Sequence, residues 1–111
     1  MSRIIVGVDV GGTSTRAAVI DGTETVARAG GTGAVMRSGK GLAAATTIAE
    51  TVRRALAAAG HLRAGLLVAG VAGAGRESER EELRQALRGE GIAERVIVTG
   101  DTELALAAAF G

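Results

Sequence analysis

Apolar residues run in short, nearly continuous blocks through the first part of the chain and then change to helical spacing. Residues 3–9 hold the run Ile4-Ile5-Val6 and end in Val8-Asp9. Such a block predicts a central strand buried on both faces. Residues 14–20 form a second block, and Asp21-Gly22 is a hairpin signal that returns the chain as a third strand over residues 23–30. These three predict an antiparallel meander. Gly30-Gly31-Thr32-Gly33 then opens what reads as a flexible loop to about Gly41. Over residues 42–59 the period changes: Leu42, Ala45, Ala49, Val52, Leu56 and Ala59 share one helix face, and Glu50 with Arg54 makes an i,i+4 pair on the other. Gly60 stops that helix.

Leu66-Leu67-Val68-Ala69 predicts a buried strand running into the glycine-rich Gly70-Val71-Ala72-Gly73-Ala74-Gly75. Ser78 and Glu81 have capping-box spacing ahead of a second helix carrying Leu83 and Leu87, with acids early and arginines late. Val96-Ile97-Val98 is the last strand, and Asp101 opens a third helix through Phe110. The order βββαβαβα implies an α/β fold, because a strand–helix–strand connection makes its two strands parallel. The sheet is then mixed, in a ribonuclease H-like arrangement with helices packed on it. The carboxyl ends of its first, fourth and fifth strands share the edge where open α/β folds bind ligands. Asp9 and Asp101 both fall on that edge.

Composition narrows the picture. At 111 residues the chain is one domain, residues 1–111, and Phe110 is its only aromatic residue. Alanine supplies much of the 47% hydrophobic fraction, so the core must close through small side chains. The net charge of +1, with acids and bases interspersed, makes no case for nucleic acid. No cysteine is present, so disulfides and thiolate-held metals are excluded. The longest uncharged apolar stretch, residues 64–75 apart from flanking arginines, is far below membrane-spanning length. The expectation is a soluble cytoplasmic protein.

Val8-Asp9-Val10-Gly11-Gly12-Thr13-Ser14-Thr15 gathers an acid, two glycines and three hydroxyls where two strands meet. One reading is a tight β-hairpin with a capping Asp. The other is a phosphate cradle: glycines admit backbone N–H groups to phosphate oxygens, hydroxyls add donors, and Asp9 holds Mg²⁺ directly or through water. Asp101, between the last strand and Thr102-Glu103, is either a helix N-cap or a general base toward a substrate hydroxyl. The glycines of residues 70–75 either allow close packing or floor a small-substrate site, in which Gly73, Ala74 and Gly75 are the candidates. His61 stands alone and offers no metal-ligand spacing. Residues 33–41 are not a Walker loop, because five residues separate Gly33 from Gly39 and Gly41 follows Lys40.

With these segments in order, the chain resembles the BadF/BadG/BcrA/BcrD-type ATPase family. That family includes N-acetylglucosamine and glucosamine kinases within the sugar kinase/Hsp70/actin superfamily. Gly7-Val8-Asp9-Val10-Gly11-Gly12-Thr13-Ser14-Thr15-Arg16 looks like the first phosphate motif. Gly70-Val71-Ala72-Gly73-Ala74-Gly75-Arg76 looks like the family's Gly-Leu-Ala-Gly-Ala-Asp-Arg segment. Val98-Thr99-Gly100-Asp101-Thr102-Glu103 looks like the strand end that carries the catalytic Asp.

The resemblance implies a single actin-like ATPase lobe acting on ATP, Mg²⁺ and an amino sugar. Gly11, Gly12, Thr13, Ser14 and Thr15 would meet the phosphates, Asp9 would hold Mg²⁺ through water, and Asp101 would be the base for the sugar hydroxyl. Family members have two lobes, and the resemblance covers the first, so a C-terminal lobe is expected as partner and the isolated lobe is expected to be inactive. Three positions depart from the pattern. Gly33-Ala34-Val35-Met36 lacks the usual sugar-binding Asn, Gly75 replaces an acid, and Ser14 stands where Lys is common. Two other readings remain: a non-catalytic, self-associating homodimeric module built on this lobe, and a dehydratase-activating ATPase.

Overall fold

A computed structural model describes residues 2–100 together with Glu103 and Ala107. Five strands and two helices follow in the order β1 (Ile4–Val10), β2 (Ser14–Asp21), β3 (Glu24–Thr32), α1 (Gly41–Ala58), β4 (Ala64–Val71), α2 (Glu77–Gly89) and β5 (Ala93–Thr99). They form one mixed sheet in the order β3-β2-β1-β4-β5. β1 is antiparallel to β2, and β2 to β3, while β1, β4 and β5 run parallel. The α/β class and the first seven elements therefore match expectation. Asp101 and Phe110, the ends of the expected third helix, lie outside the described residues.

The pleat separates two environments. Val6, Val8, Val10, Ala17, Val19, Leu67, Ala69, Val71 and Val96 face one cluster together with Ile48, Val52, Leu56, Leu83 and Leu87 of the helices. Both helices thus pack on the same face, and they also touch each other. Alanines 44, 45, 49 and 55 of α1 are all buried there, which lets the helix lie close to the sheet. The opposite face carries a smaller group of Ala18, Ile20 and Ile5. Among the described residues no helix is long and apolar enough to cross a membrane.

Three local expectations are corrected. β3 does not end at Gly30 but runs on to Thr32, pairing Gly30 with Arg16 and Gly31 with Thr15. A Cβ on Gly31 would overlap Thr51 Oγ1 and come within 2.8 Å of the Arg54 guanidinium, so this glycine admits α1 against the strand rather than loosening a loop. Leu42 is 78% exposed and is no part of the buried helix face. The pair expected between Glu50 and Arg54 does not form, because Arg54 donates to Thr51 Oγ1 at 3.3 Å. Arg53 makes the ion pair from this helix instead, with Glu90 at 3.1 Å.

The Ser78 and Glu81 capping box is also replaced. α2 starts two residues earlier, with Arg76 as N-cap, and the Arg76 amide donates to Glu79 Oε1 at 3.4 Å. Glu81 is occupied elsewhere, accepting from Arg84 at 2.6 and 2.8 Å and from Gln85 at 3.1 Å. Those hydrogen bonds, that from Arg84 first, hold its carboxyl down at about 2.

Candidate phosphate site at the carboxyl edge of the sheet

Register places the carboxyl ends of β1, β4 and β5 side by side: Val10 is opposite Val71, and Gly70 opposite Thr99. β1 turns into β2 by a two-residue hairpin whose tip is Gly12-Thr13, closed by the Gly11 amide donating to Ser14 O at 2.8 Å. The hairpin reading of residues 9–15 is therefore correct as geometry. Asp9 does not cap it. Its Oδ2 accepts from Arg16 Nη2 across the strand pair at 3.0 Å, and its side chain stays 20% exposed.

Backbone bonds fix this hairpin on both flanks. Val10 O accepts from Ala72 N at 2.9 Å, tying it to the turn after β4. Gly11 O accepts from Ala34 N at 3.1 Å, tying it to the segment after β3. Gly33 packs directly behind it. A Cβ on Gly33 would overlap Gly11 O and come within 2.5 Å of Gly12 C and 2.6 Å of Ser14 N.

The predicted phosphate residues divide into two kinds. Gly12, Thr13 and Ser14 are exposed, and among the described residues the amides of Gly12 and Thr13 have no hydrogen-bond partner. Gly12 needs no glycine for folding: its φ is not positive, and a Cβ there would meet nothing within 4 Å. Thr15 is fully buried, and its hydroxyl donates to Thr32 O at 2.7 Å. That donor is spent on joining β2 to β3. Gly11 likewise spends its amide on closing the turn.

The turn after β4 behaves similarly. Gly73 takes a left-handed φ of 87°, as a tight turn requires, and Gly75 is exposed beside open space. Ala74 is fully buried, and its carbonyl accepts from Arg80 Nη1 at 3.0 Å. Gly100 abuts the same carbonyl, since a Cβ there would lie 3.0 Å from Ala74 O. The chain thus arrives beside this turn one residue before Asp101, which itself lies outside the described residues. No cluster of three His, Cys, Asp or Glu side chains that could hold a metal occurs among the described residues.

One residue of this region gave no sequence signal. Glu82 of α2 reaches the start of α1 and accepts from the Gly39 amide at 3.0 Å and the Gly41 amide at 2.7 Å. It supplies the cap that α1 lacks from its own N-cap residue, Lys40. The two amides, Gly39 first, hold its carboxyl below the ordinary glutamate range. A depressed carboxyl stabilises the fold above the ordinary value near 4.5 and loses that contribution as pH falls below it. Glu82→Gln is therefore expected to melt lower than wild type at pH 7, with the gap closing on acidification toward pH 3. Parallel melting curves in thermal scans across that range would refute the capping role.

No protein-family model and no curated protein matches the chain. Solved structures do. A candidate N-acetylglucosamine kinase from Chromobacterium violaceum superposes with a TM-score of 0.75 and 23% identity, over 99% of this chain and 40% of its own. A ROK hexokinase from Thermus thermophilus gives 0.64 and 26%, over 86% and 33%. Component A of the Acidaminococcus fermentans (R)-2-hydroxyglutaryl-CoA dehydratase gives 0.52 and 23%, over 87% and 31%. The chain spans two fifths or less of the length of each. Its fold is that of one lobe of the sugar kinase and actin-like ATPase superfamily.

Proposed function

We propose that this chain is the phosphate-binding lobe of an ATP-dependent sugar kinase of the BadF/BadG/BcrA/BcrD type, transferring a phosphoryl group to a sugar hydroxyl. The observation that carries the reading is the Gly12-Thr13 tip. Two unpartnered amides stand at the ligand edge of the sheet, and the glycine beside them is required neither by φ nor by packing. A missing side chain over open space suits a ligand that approaches the backbone closely. The exposed hydroxyls of Thr13 and Ser14 add donors.

Within this reading Gly12, Thr13 and Ser14 hold the phosphate oxygens. Gly11 shapes the turn, and Thr15 anchors it from within the core. Asp9, partly exposed and acidic, fits a water-mediated Mg²⁺ contact, and the ion supplies charge neutralisation at the transferring group. Arg16 keeps the Asp9 carboxylate in place. Asp101 accepts the proton of the attacking hydroxyl. Gly73 and Gly75 floor the acceptor side, with Ala74 holding their turn to α2. The 111 residues supply one side of such a site, so the isolated chain is expected to bind Mg-ATP weakly and turn nothing over.

Amide NMR of the chain titrated with Mg-ATP tests this. Shifts confined to residues 11–14 with a Kd of about 1 mM or weaker are expected, and Gly12→Ala should weaken binding about tenfold with an unchanged melting temperature. Shifts elsewhere with none at the hairpin would refute the assignment, and micromolar binding by a monomer would refute the one-sided site.

A further inference from the structure

Against the back of the phosphate hairpin lies a groove of about 430 Å³, bounded by residues 33–40 and the first two turns of α1. Gly33, which packs on Gly11 and Gly12, is part of its lining. Its walls are small and apolar at Ala34, Ala43 and Ala44, with Val35 55% exposed at the rim. Its polar lining is Arg37, Lys40 and Thr47.

The charge of that lining is one-sided. No carboxylate or amide side chain lines the groove. Among the described residues the side chains of Arg37 and Lys40 make no ion pair and no hydrogen bond, whereas Arg3, Arg16, Arg53 and Arg84 are each paired with an acid. Glu82, the acid that reaches this segment, has its two oxygens committed to the Gly39 and Gly41 amides on either side of Lys40. Thr47 donates to Ala43 O at 3.3 Å, which leaves its oxygen an acceptor.

A neutral sugar is held largely by carbonyl and carboxylate acceptors for its hydroxyl protons, and the lining side chains offer only the Thr47 hydroxyl oxygen. The lining otherwise offers the guanidinium fork and the ammonium, which only donate and which gain most from an anion. The volume lies in the lower range of small-molecule sites and suits a single sugar ring. We propose that this groove binds the anionic group of a monosaccharide-sized, hydroxylated substrate, a sugar phosphate or a sugar acid, through Arg37 and Lys40. The inference rests on the kinase reading above and names a substrate class for it.

The test is amide NMR of the same chain titrated separately with glucose, glucose 6-phosphate, glucuronate and inorganic phosphate. Glucose 6-phosphate or glucuronate is expected to shift Val35, Arg37, Lys40 and Thr47 and to saturate at about one tenth of the glucose concentration or less. Whichever of the two binds tighter identifies the anionic group. Added salt should weaken that binding, and the Arg37→Gln/Lys40→Gln variant should abolish the preference over glucose. Both side chains are exposed and unpartnered, so the variant should keep a native spectrum.

Equal binding of glucose and the charged sugars would overturn the proposal. So would inorganic phosphate binding as tightly as glucose 6-phosphate, or charged sugars shifting only residues 11–14 or nothing. Mg-ATP shifts at residues 11–14 report the kinase reading separately. Their loss with groove binding intact would sink that reading alone, and their presence with an unresponsive groove would sink this one.

Discussion

Gly33→Val is expected to destabilise the chain by about 3 kcal/mol, a fall of roughly 10–20 °C in melting temperature, and to displace the Gly12-Thr13 hairpin. The reason is space, since Gly33 has no positive φ. Its missing Cβ would meet Gly11 O, Gly12 C and Ser14 N, all backbone atoms that cannot swing aside as a side-chain tip can. The hairpin is pinned by bonds from Ala34 and Ala72, so it yields only by breaking one of them. The largest amide shifts should fall at residues 11–14. Gly75→Ala is the matched control, because a Cβ there meets nothing within 4 Å. A Gly33→Val protein melting with wild type would show that the segment behind the hairpin is not its support.

Asp101→Asn is expected to lower kcat by about 10²–10⁴ in a longer protein that carries this lobe and a complete site, with KM for ATP nearly unchanged. Asparagine caps a helix about as well as aspartate, so the substitution spares a capping role and removes only the basic carboxylate. This separates the two readings that the position left open. ADP release over a panel of amino sugars, sugar acids and sugar phosphates reads the result. Retained turnover would make Asp101 a cap and nothing more. Gly100, the residue before it, packs on the Ala74 carbonyl.

Much of the fold was legible because its signals are local. The Ile and Val runs of β1 and β2 and the Asp21-Gly22 turn depend on neighbours in sequence, and the meander follows from them. The Asp9 hairpin was legible for the same reason. What escaped depends on tertiary approach. Gly31 and Gly33 read as loop residues, yet each is a glycine because α1 or the hairpin passes too close for a Cβ. Leu42 fits the helical period but is exposed in the first turn of α1, whose buried residues there are Gly41, Ala44 and Ala45. The Ser78 and Glu81 spacing was sound, but Arg84 and Gln85 compete for the same carboxylate. Glu82 reaches amides more than forty residues away, which no window along the chain can reveal.

The central place of β1 sets an order of assembly. Its pairing with β2 closes through a two-residue turn, which a chain forms in about 1–10 μs. Its pairing with β4 joins Ile5 to Leu66 and must first close a loop of roughly sixty residues. The hairpin that carries Gly12 and Thr13 belongs to the fast, local part of the chain. The β4 turn, and the Glu82 cap that holds the groove segment, arrive only with the slow part. During synthesis and refolding, the two sides of the candidate site are therefore built at different times.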